Sequence, residues 1–157
     1  MPTITTFLTY NDRAEEAAQH YVSIFKNSRI LHTTHYGEGG PMPKGMVMTV
    51  RFSLDGQEYV ALNGGPHFKF TEGISLLINC KTQEEIDDYS RKLTDGGEQG
   101  PCGWVTDKFG VSWQVVPTII GELFSSAHPD KAKRAFAAMM NMKKLDIAAL
   151  KKAYDGG

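Results

Sequence analysis

The chain has 157 residues, of which 41% are hydrophobic and 22% charged, a composition typical of one globular domain or of two small modules. Its 17 Lys and Arg residues are balanced by 18 Asp and Glu residues, so no basic excess exists to neutralise the phosphates of a nucleic acid. No apolar run is long enough for a membrane span, and the first residues lack the features of a signal peptide. The only cysteines, Cys80 and Cys102, are therefore expected to be free thiols in a soluble cytoplasmic protein.

The first seventy residues predict a strand, a helix and three further strands. The string "TITTFLTY", residues 3–10, is rich in β-branched and aromatic residues and predicts a strand. Asn11 or Asp12 is expected to cap a helix that runs to about Phe25. "SRILHTTHY" predicts the next strand, followed by the Gly/Pro-rich loop "GEGGPMPKG". "MVMTVRFSLDGQEYVALNGGP" predicts a hairpin that turns at Asp55–Gly56, with Val50 and Phe52 on one face and Arg51 on the other.

The second module repeats this order. "GISLLINC" predicts a strand, and Thr82 with Glu85 forms a capping box at the start of the helix "TQEEIDDYSRKL". The glycines of "DGG" end that helix, and two or three strands follow up to Pro117. We predict an α+β fold with paired βαβββ modules and a C-terminal helical extension. The single domain would comprise a first module over 1–70, a second over 71–118 and C-terminal helices over 119–157.

The C-terminal string "HPDKAKRAFAAMMNMKKLDIAALKKAYDGG" predicts two helices. Asp146 is expected to cap the last helix, with Leu150 and Tyr154 on its inner side. The preceding helix has an apolar stripe of Ala132, Ala135, Phe136 and Met139. Such a face usually packs against protein, often a partner chain, so we predict a homodimer.

Three strings resemble the PhnB-like family, also named demethylubiquinone methyltransferase-like: "YVALNGGP", "CGWVTDKFGVSWQVVP" and "AMMNMKKLDIAALKKA". That family belongs to the vicinal oxygen chelate superfamily, the glyoxalase/bleomycin-resistance fold. The resemblance implies two half-barrel sheets whose inward residues hold a divalent metal, typically as His, Glu, His and Glu. It places the four ligand positions at Thr5, Ala61 (less surely Asn63), Ser75 and Gln114. These side chains are not the imidazole, thiolate or carboxylate ligands of such ions, so we predict no metal and no other cofactor.

Strand alternation predicts which side chains face the cavity that the resemblance implies. Gln114 would face inward, and Trp113 would pack towards the helix layer. Trp104 would stack on a flat ligand at the rim. Small polar groups among apolar walls are typical of a small-molecule site. The predicted cavity residues are Thr5, Phe7, Thr9, Arg51, Ala61, Asn63, Ser75, Leu77, Trp104 and Gln114.

Arg51 has two interpretations. It would bind an anion in the cavity, or it would face solvent and pair with Glu58 or Glu38. Cys102 has no basic neighbour in the sequence, so we expect a packed, inert thiol.

The sequence leaves two classes of function open. The first is a small-molecule-binding protein with a degenerate metal site and an unidentified ligand. The second is a lyase, isomerase or dioxygenase, either metal-dependent through His32 or His67 with Glu58, or metal-free through Arg51 with Gln114. No catalytic residue is assigned, and whether the protein is an enzyme stays open. Methyl transfer is not expected, because the glycines at 37–45 do not follow the strand–turn–helix unit that usually binds a methyl donor.

Overall fold

Two four-stranded sheets with the same strand order organise the chain, one in each of the units Met1–Phe70 and Thr71–Gly157. The computed structural model describes residues 2–125 and 127–157. In both sheets the strand before the helix pairs in parallel with the last strand, and the other pairs are antiparallel. This arrangement confirms the predicted α+β fold of paired βαβββ modules.

The first unit contains one helix and a sheet. Its elements are β1 (Thr6–Tyr10), α1 (Ala14–Ile24), β2 (Ser28–His35), β3 (Val47–Leu54) and β4 (Gln57–Asn63). The strands lie in the order β1-β4-β3-β2, so β1 and β2 are the edges. β3 and β4 are joined by the predicted two-residue turn, in which Asp55 and Gly56 have φ angles of 49° and 88°. Two consecutive positive φ angles define the primed turn that matches the twist of a hairpin.

α1 covers one face of this sheet because both surfaces are apolar. Ala17, Ala18 and Tyr21 on the helix are fully buried, as are Val50 and Phe52 on β3. Burial of the larger side chains, such as Val50 and Phe52, stabilises the fold by about 1.5–3 kcal/mol each. The alternation predicted for the hairpin is therefore confirmed, with the buried positions beneath the helix.

The start of α1 differs from the prediction. The residue before the helix is Arg13 rather than Asn11 or Asp12, and its side chain forms no capping hydrogen bond. The backbone N–H of Ala14 instead donates to Oδ1 of Asn63, at 2.8 Å, at the end of β4. The Asn63 amide also donates to the Val47 carbonyl, at 2.9 Å. The acceptor for this N–H group therefore lies 49 residues away in the sequence. The sequence rules for helix starts consider only neighbouring residues, so they could not predict it.

The second unit has the same order of elements with shorter strands. They are β5 (Leu76–Cys80), α2 (Gln83–Thr94), β6 (Glu98–Gln99), β7 (Trp104–Thr106) and β8 (Ser112–Pro117), ordered β5-β8-β7-β6. The predicted capping box is confirmed, since Thr82 Oγ1 accepts from the Glu85 N–H at 3.1 Å. Glu85 in turn accepts from the N–H of Lys81, at 3.3 Å.

A buried carboxylate holds the turn between β7 and β8. Asp107 is 3% exposed, and its Oδ1 accepts from the N–H groups of Phe109 and Val111, at 2.9 and 3.0 Å. Its Oδ2 accepts from Nε1 of Trp113, at 2.8 Å. Trp113 is 2% exposed and packs on the helix side of the sheet, as predicted.

Three C-terminal helices follow within the described residues, where the sequence predicted two. They are α3 (Ile119–Phe124), α4 (Pro129–Met140) and α5 (Ile147–Asp155). Asp146 caps α5 as predicted, since its Oδ1 accepts from the Ala149 N–H at 3.0 Å. Leu123, Ala135 and Leu150 form the buried centre of this helical layer. Phe136 lies at the edge of this layer, where its ring packs edge-on against Phe124, and it is 50% exposed.

The segment between α4 and α5 is fixed to the second module by backbone and side-chain contacts. The N–H groups of Cys102 and Gly103 donate to the carbonyls of Met142 and Lys143, at 2.8 and 2.7 Å. The Gln83 amide donates to the Leu145 carbonyl and accepts from the N–H of Ile147, at 3.0 and 2.8 Å. No helix in the described parts of the chain is long and apolar enough to cross a membrane.

Candidate functional site

The side chains of interest lie on the face of each sheet opposite its helix, which we call the helix-free face. In the second unit, Trp113 and Val115 are buried towards α2, so Gln114 between them points to the helix-free face. Nε2 of Gln114 donates to Oγ of Ser75, at 2.9 Å. Two residues that the resemblance placed at ligand positions are therefore in direct contact.

Gln114 also lies in the centre of a row of cross-strand neighbours. Leu77 pairs with it from β5 and Trp104 from β7. Paired residues share a face, so all three side chains are on the helix-free side. Leu77 is 48% exposed, whereas Trp104 and Gln114 are half-buried. The second helix-free face is defined here by Ser75, Leu77, Trp104 and Gln114.

This surface can bind through neutral hydrogen bonds and apolar contact. The Gln114 amide uses one N–H on Ser75, which leaves its carbonyl oxygen and second N–H. The Ser75 hydroxyl accepts that bond and keeps its own hydrogen for another acceptor. None of the four side chains ionises near neutral pH. They can therefore contact and orient a ligand, but they offer no general acid or base.

The helix-free face of the first sheet carries different groups. Phe7 is 54% exposed, Arg51 is exposed, and Thr9 is half-buried. Thr5 is exposed and precedes β1 rather than lying within it. The strand register places Phe7 next to Val60, and Val60 next to Arg51. The predicted placement of Phe7, Thr9 and Arg51 away from α1 agrees with this register, and their role in ligand binding stays a prediction.

Ala61 and Asn63 correct the sequence prediction. Ala61 pairs with Leu8 on one side and Val50 on the other, both buried beneath α1, and it is fully buried with them. Asn63 reaches the N-terminus of α1 from the same face. A shift of one residue moves a strand side chain to the opposite face. The placement of these two residues in a cavity is therefore wrong.

Val60 occupies the position that the prediction gave to Ala61. Val60 lies on the helix-free face of the first sheet, where it pairs with Phe7 on β1. Gln114 pairs with Leu77 at the equivalent position of the second sheet. The signal was present in the sequence, because Arg51 was correctly placed on this face of the hairpin. Counting across the Asp55–Gly56 turn from Arg51 leads to Val60 rather than Ala61.

The corrected set of implied ligand positions is Thr5, Val60, Ser75 and Gln114, which does not fit a divalent metal. Two hydroxyls, one amide and one isopropyl group supply no charge to replace the hydration shell of the ion. Across residues 2–125 and 127–157, no group of three or more His, Cys, Asp or Glu is placed to hold a metal.

Neither cysteine belongs to these surfaces. Cys80 is fully buried on the helix side of β5, and this burial raises the pKa of its thiol to about 12, helped by the Glu85 carboxylate. The Cys102 sulfur lies 3.7 Å from the sulfur of Met140. Cys102 also has a positive φ of 56°, which is uncommon for a residue with a side chain. Its inert character stays a prediction.

Comparison with known proteins covers the two modules. A profile of the family described as 3-demethylubiquinone-9 3-methyltransferase matches residues 2–116. A Bacillus cereus protein described by that activity and as a PhnB protein is 38% identical, with a TM-score of 0.66; the match covers 74% of this chain and 100% of that one. No curated protein matches the chain.

Two more distant structures share the fold alone. The Pseudomonas aeruginosa protein PA1353 is 23% identical, with a TM-score of 0.60, over 74% of this chain and 98% of its own. The fosfomycin resistance protein FosX of Listeria monocytogenes is 16% identical, with a TM-score of 0.53, over 78% and 97%. The family profile ends before α3, so the C-terminal string "AMMNMKKLDIAALKKA" lies outside the matched residues. The chain therefore belongs to the PhnB-like family described as 3-demethylubiquinone-9 3-methyltransferase.

Proposed function

We propose that the protein binds a small organic molecule on the second helix-free face, without a divalent metal. The observation that carries this proposal is the hydrogen bond from Gln114 to Ser75 at an implied metal-ligand position, beside Leu77 and Trp104. The amide is held in one orientation by Ser75, so its remaining donor and acceptor have fixed directions. A flat, neutral molecule with hydrogen-bonding groups fits this combination of an amide, an indole and an aliphatic side chain.

The family description names methyl transfer, but this fold offers no familiar site for a methyl donor. Such donors usually bind at the Gly-rich first turn of a parallel, doubly wound sheet. Here the glycines at 37–45 connect the antiparallel strands β2 and β3, and no helix follows them before β3. We therefore propose a binding function rather than methyl transfer.

The metal-dependent alternative gains little support from the first sheet. His32 is on β2 and Glu58 on β4, and β3 lies between these strands. These two side chains supply at most two ligands, and within the described residues no group of three or more His, Cys, Asp or Glu is placed to hold an ion. His67 is exposed in the loop after β4. Elemental analysis of the purified protein tests this alternative, and a stoichiometric divalent metal would support it.

The proposed binding is tested by saturation-transfer NMR with a library of neutral heteroaromatic amides. We expect members of the library to bind the wild-type protein, and Gln114→Leu to weaken the best of them at least about tenfold, because the buried amide contacts are lost. Gln19→Leu is the matched control, since Gln19 is exposed on α1. The proposal fails if the same compounds bind Gln114→Leu and wild type equally, or if none binds.

We further propose that the protein is a cytoplasmic homodimer. The support for the dimer is the exposure of Phe136 and Met140, 50% and 53%, one turn apart on α4. Light scattering during gel filtration measures the mass directly. A monomer at tens of micromolar would contradict this part of the proposal, while Phe136→Ser is expected to dissociate a dimer formed through α4.

A further inference from the structure

We infer that the helix-free face of the first sheet is a second binding site, which takes an anionic group attached to an apolar body. The anion would contact Arg51, His32 and the hydroxyl pair of Thr34 and Thr49, and the apolar body would lie over Phe7. This inference goes beyond the proposed function, which concerns neutral contacts on the other sheet.

The strand register brings the imidazole of His32 and the guanidinium group of Arg51 together. His32 on β2 pairs directly with Arg51 on β3, and both are exposed. Thr34 and Thr49 form the next pair on this face, with their hydroxyl oxygens 2.5 Å apart. Because alternate residues of a strand share a face, the hydroxyl contact also fixes the side on which His32 and Arg51 lie.

Among the described residues, the two arginines on this face, Arg29 and Arg51, form no ion pair with an acidic side chain. Arg29 on β2 and Glu58 on β4 are the two cross-strand neighbours of Ser53 on β3, and both lie on this face. Within the same part of the chain, no ion pair joins His32 to an acidic side chain. The positive charge of Arg51 is therefore available to a bound anion.

The threonine pair provides one free donor. The Thr49 backbone N–H donates to Thr34 Oγ1 at 3.2 Å, and the two hydroxyls share one further hydrogen bond. Two hydroxyl hydrogens serve one bond between them, so one hydrogen remains whichever residue is the donor. An anion on this face would therefore meet a hydroxyl donor as well as the guanidinium group.

Apolar side chains continue the row away from Arg51. Val60, which is buried, is the cross-strand neighbour of Arg51, and the exposed Phe7 is the neighbour of Val60. Phe7 is 54% exposed, so an aromatic ring is available for contact. A guanidinium group binds carboxylate or phosphate with two parallel hydrogen bonds, so the shared ligand chemistry is an oxyanion next to a ring or short aliphatic chain.

The test is a titration followed in the amide NMR spectrum, with phenylacetate, phenyl phosphate and the neutral phenylacetamide. We expect an anion to shift the amides of residues 32–34, 49–51 and 60, and phenylacetamide to bind at least about tenfold more weakly, because the charge-assisted bonds are lost. Comparing phenylacetate with phenyl phosphate identifies which oxyanion is preferred.

Variants decide whether this face is responsible. Arg51→Gln should weaken the anion at least about tenfold, and His32→Gln should weaken it less, because a guanidinium forms the stronger charge-assisted bonds. Arg91→Gln is the matched control, since Arg91 is exposed on α2 and paired with Asp88. The inference is overturned if neither anion binds, if phenylacetamide binds equally well, or if Arg51→Gln leaves affinity unchanged. The neutral amides used at Gln114 should bind Arg51→Gln normally, so a failure here differs from a failure of the proposed function.

Discussion

The two sheets share one strand order, yet their helix-free faces differ in chemistry. The central row of the first sheet reads His32, Arg51, Val60 and Phe7, whereas that of the second reads Trp104, Gln114 and Leu77. One row offers positive charge beside apolar groups, and the other offers a neutral amide beside an indole. The repeated fold therefore fixes where side chains stand, and the residues at equivalent positions decide what each face can bind.

The two units also differ in how their hairpin turns and their helix N-termini are stabilised. The hairpin of the first sheet turns on two residues with positive φ, while the corresponding connection of the second is held by the buried Asp107 carboxylate. The first helix is capped by Asn63 from a distant strand, and the second by Thr82 next to it. These differences predict that equivalent substitutions have unequal effects in the two units.

The largest expected effect is at Asp107. Asp107→Ala should lower the free energy of unfolding by about 4 kcal/mol, because two backbone N–H groups and the Trp113 indole lose a buried acceptor. Urea denaturation monitored by tryptophan fluorescence measures the change. Asp55→Ala, in the equivalent turn, should cost about 1 kcal/mol, because Asp55 has a positive φ and its side chain forms only a long, exposed hydrogen bond with Asn27, at 3.5 Å. Equal costs at the two turns would contradict the comparison.

The two helix caps should differ in the same direction. Asn63→Ala should cost about 3 kcal/mol, since it leaves the Ala14 N–H and the Val47 carbonyl without this buried partner. Thr82→Ala should cost about 1 kcal/mol, the usual value for an exposed cap. Urea denaturation of both variants provides the test, with the change in free energy calculated from each midpoint and a common m value. A smaller loss for Asn63→Ala than for Thr82→Ala would show that the distant cap is dispensable.

The two cysteines of the second unit differ in burial, and we expect them to differ in reactivity. Burial raises the pKa of the Cys80 thiol to about 12, so little thiolate forms at pH 8. Iodoacetamide should therefore modify native Cys80 at least about 100-fold more slowly than Cys102, because the thiolate is the reacting species. Peptide mass spectrometry of timed samples measures both rates, and unfolded protein is the control. Comparable native rates would mean that Cys80 is accessible.

The raised pKa of Cys80 also gives a pH dependence with a definite sign. In the unfolded chain this thiol ionises near its ordinary value of 9.0, whereas in the folded protein it stays protonated up to about 12. The folded state then binds more protons over this interval, so the free energy of unfolding should fall as pH rises from 9 towards 12. Cys80→Ala should flatten the curve in that range. An unchanged slope would indicate that other groups dominate alkaline unfolding.

Much of the fold could be predicted because its signals are local. The Asp55–Gly56 turn, the Thr82 capping box and the Asp146 cap each depend on residues a few positions apart. Gln114 lies on the side of the sheet opposite Trp113, whose ring is buried as expected, and its position in a cavity stays a prediction. The prediction for Asn63 was wrong because its side chain caps a helix that is distant in the sequence. The prediction for Ala61 was wrong because the strand register across the turn was counted one residue too far. The pairing of His32 with Arg51 depends on strand register, which the strand pattern alone does not specify.

Gln83 has a consequence for where this protein could be shortened. The match to the family stops at residue 116, which suggests a convenient end point for a minimal protein. Removing everything beyond it would strip away the two main-chain groups that Gln83 engages and would uncover the site where Leu145 is now wholly enclosed. We therefore expect a protein that ends at residue 116 to be less stable than the full chain.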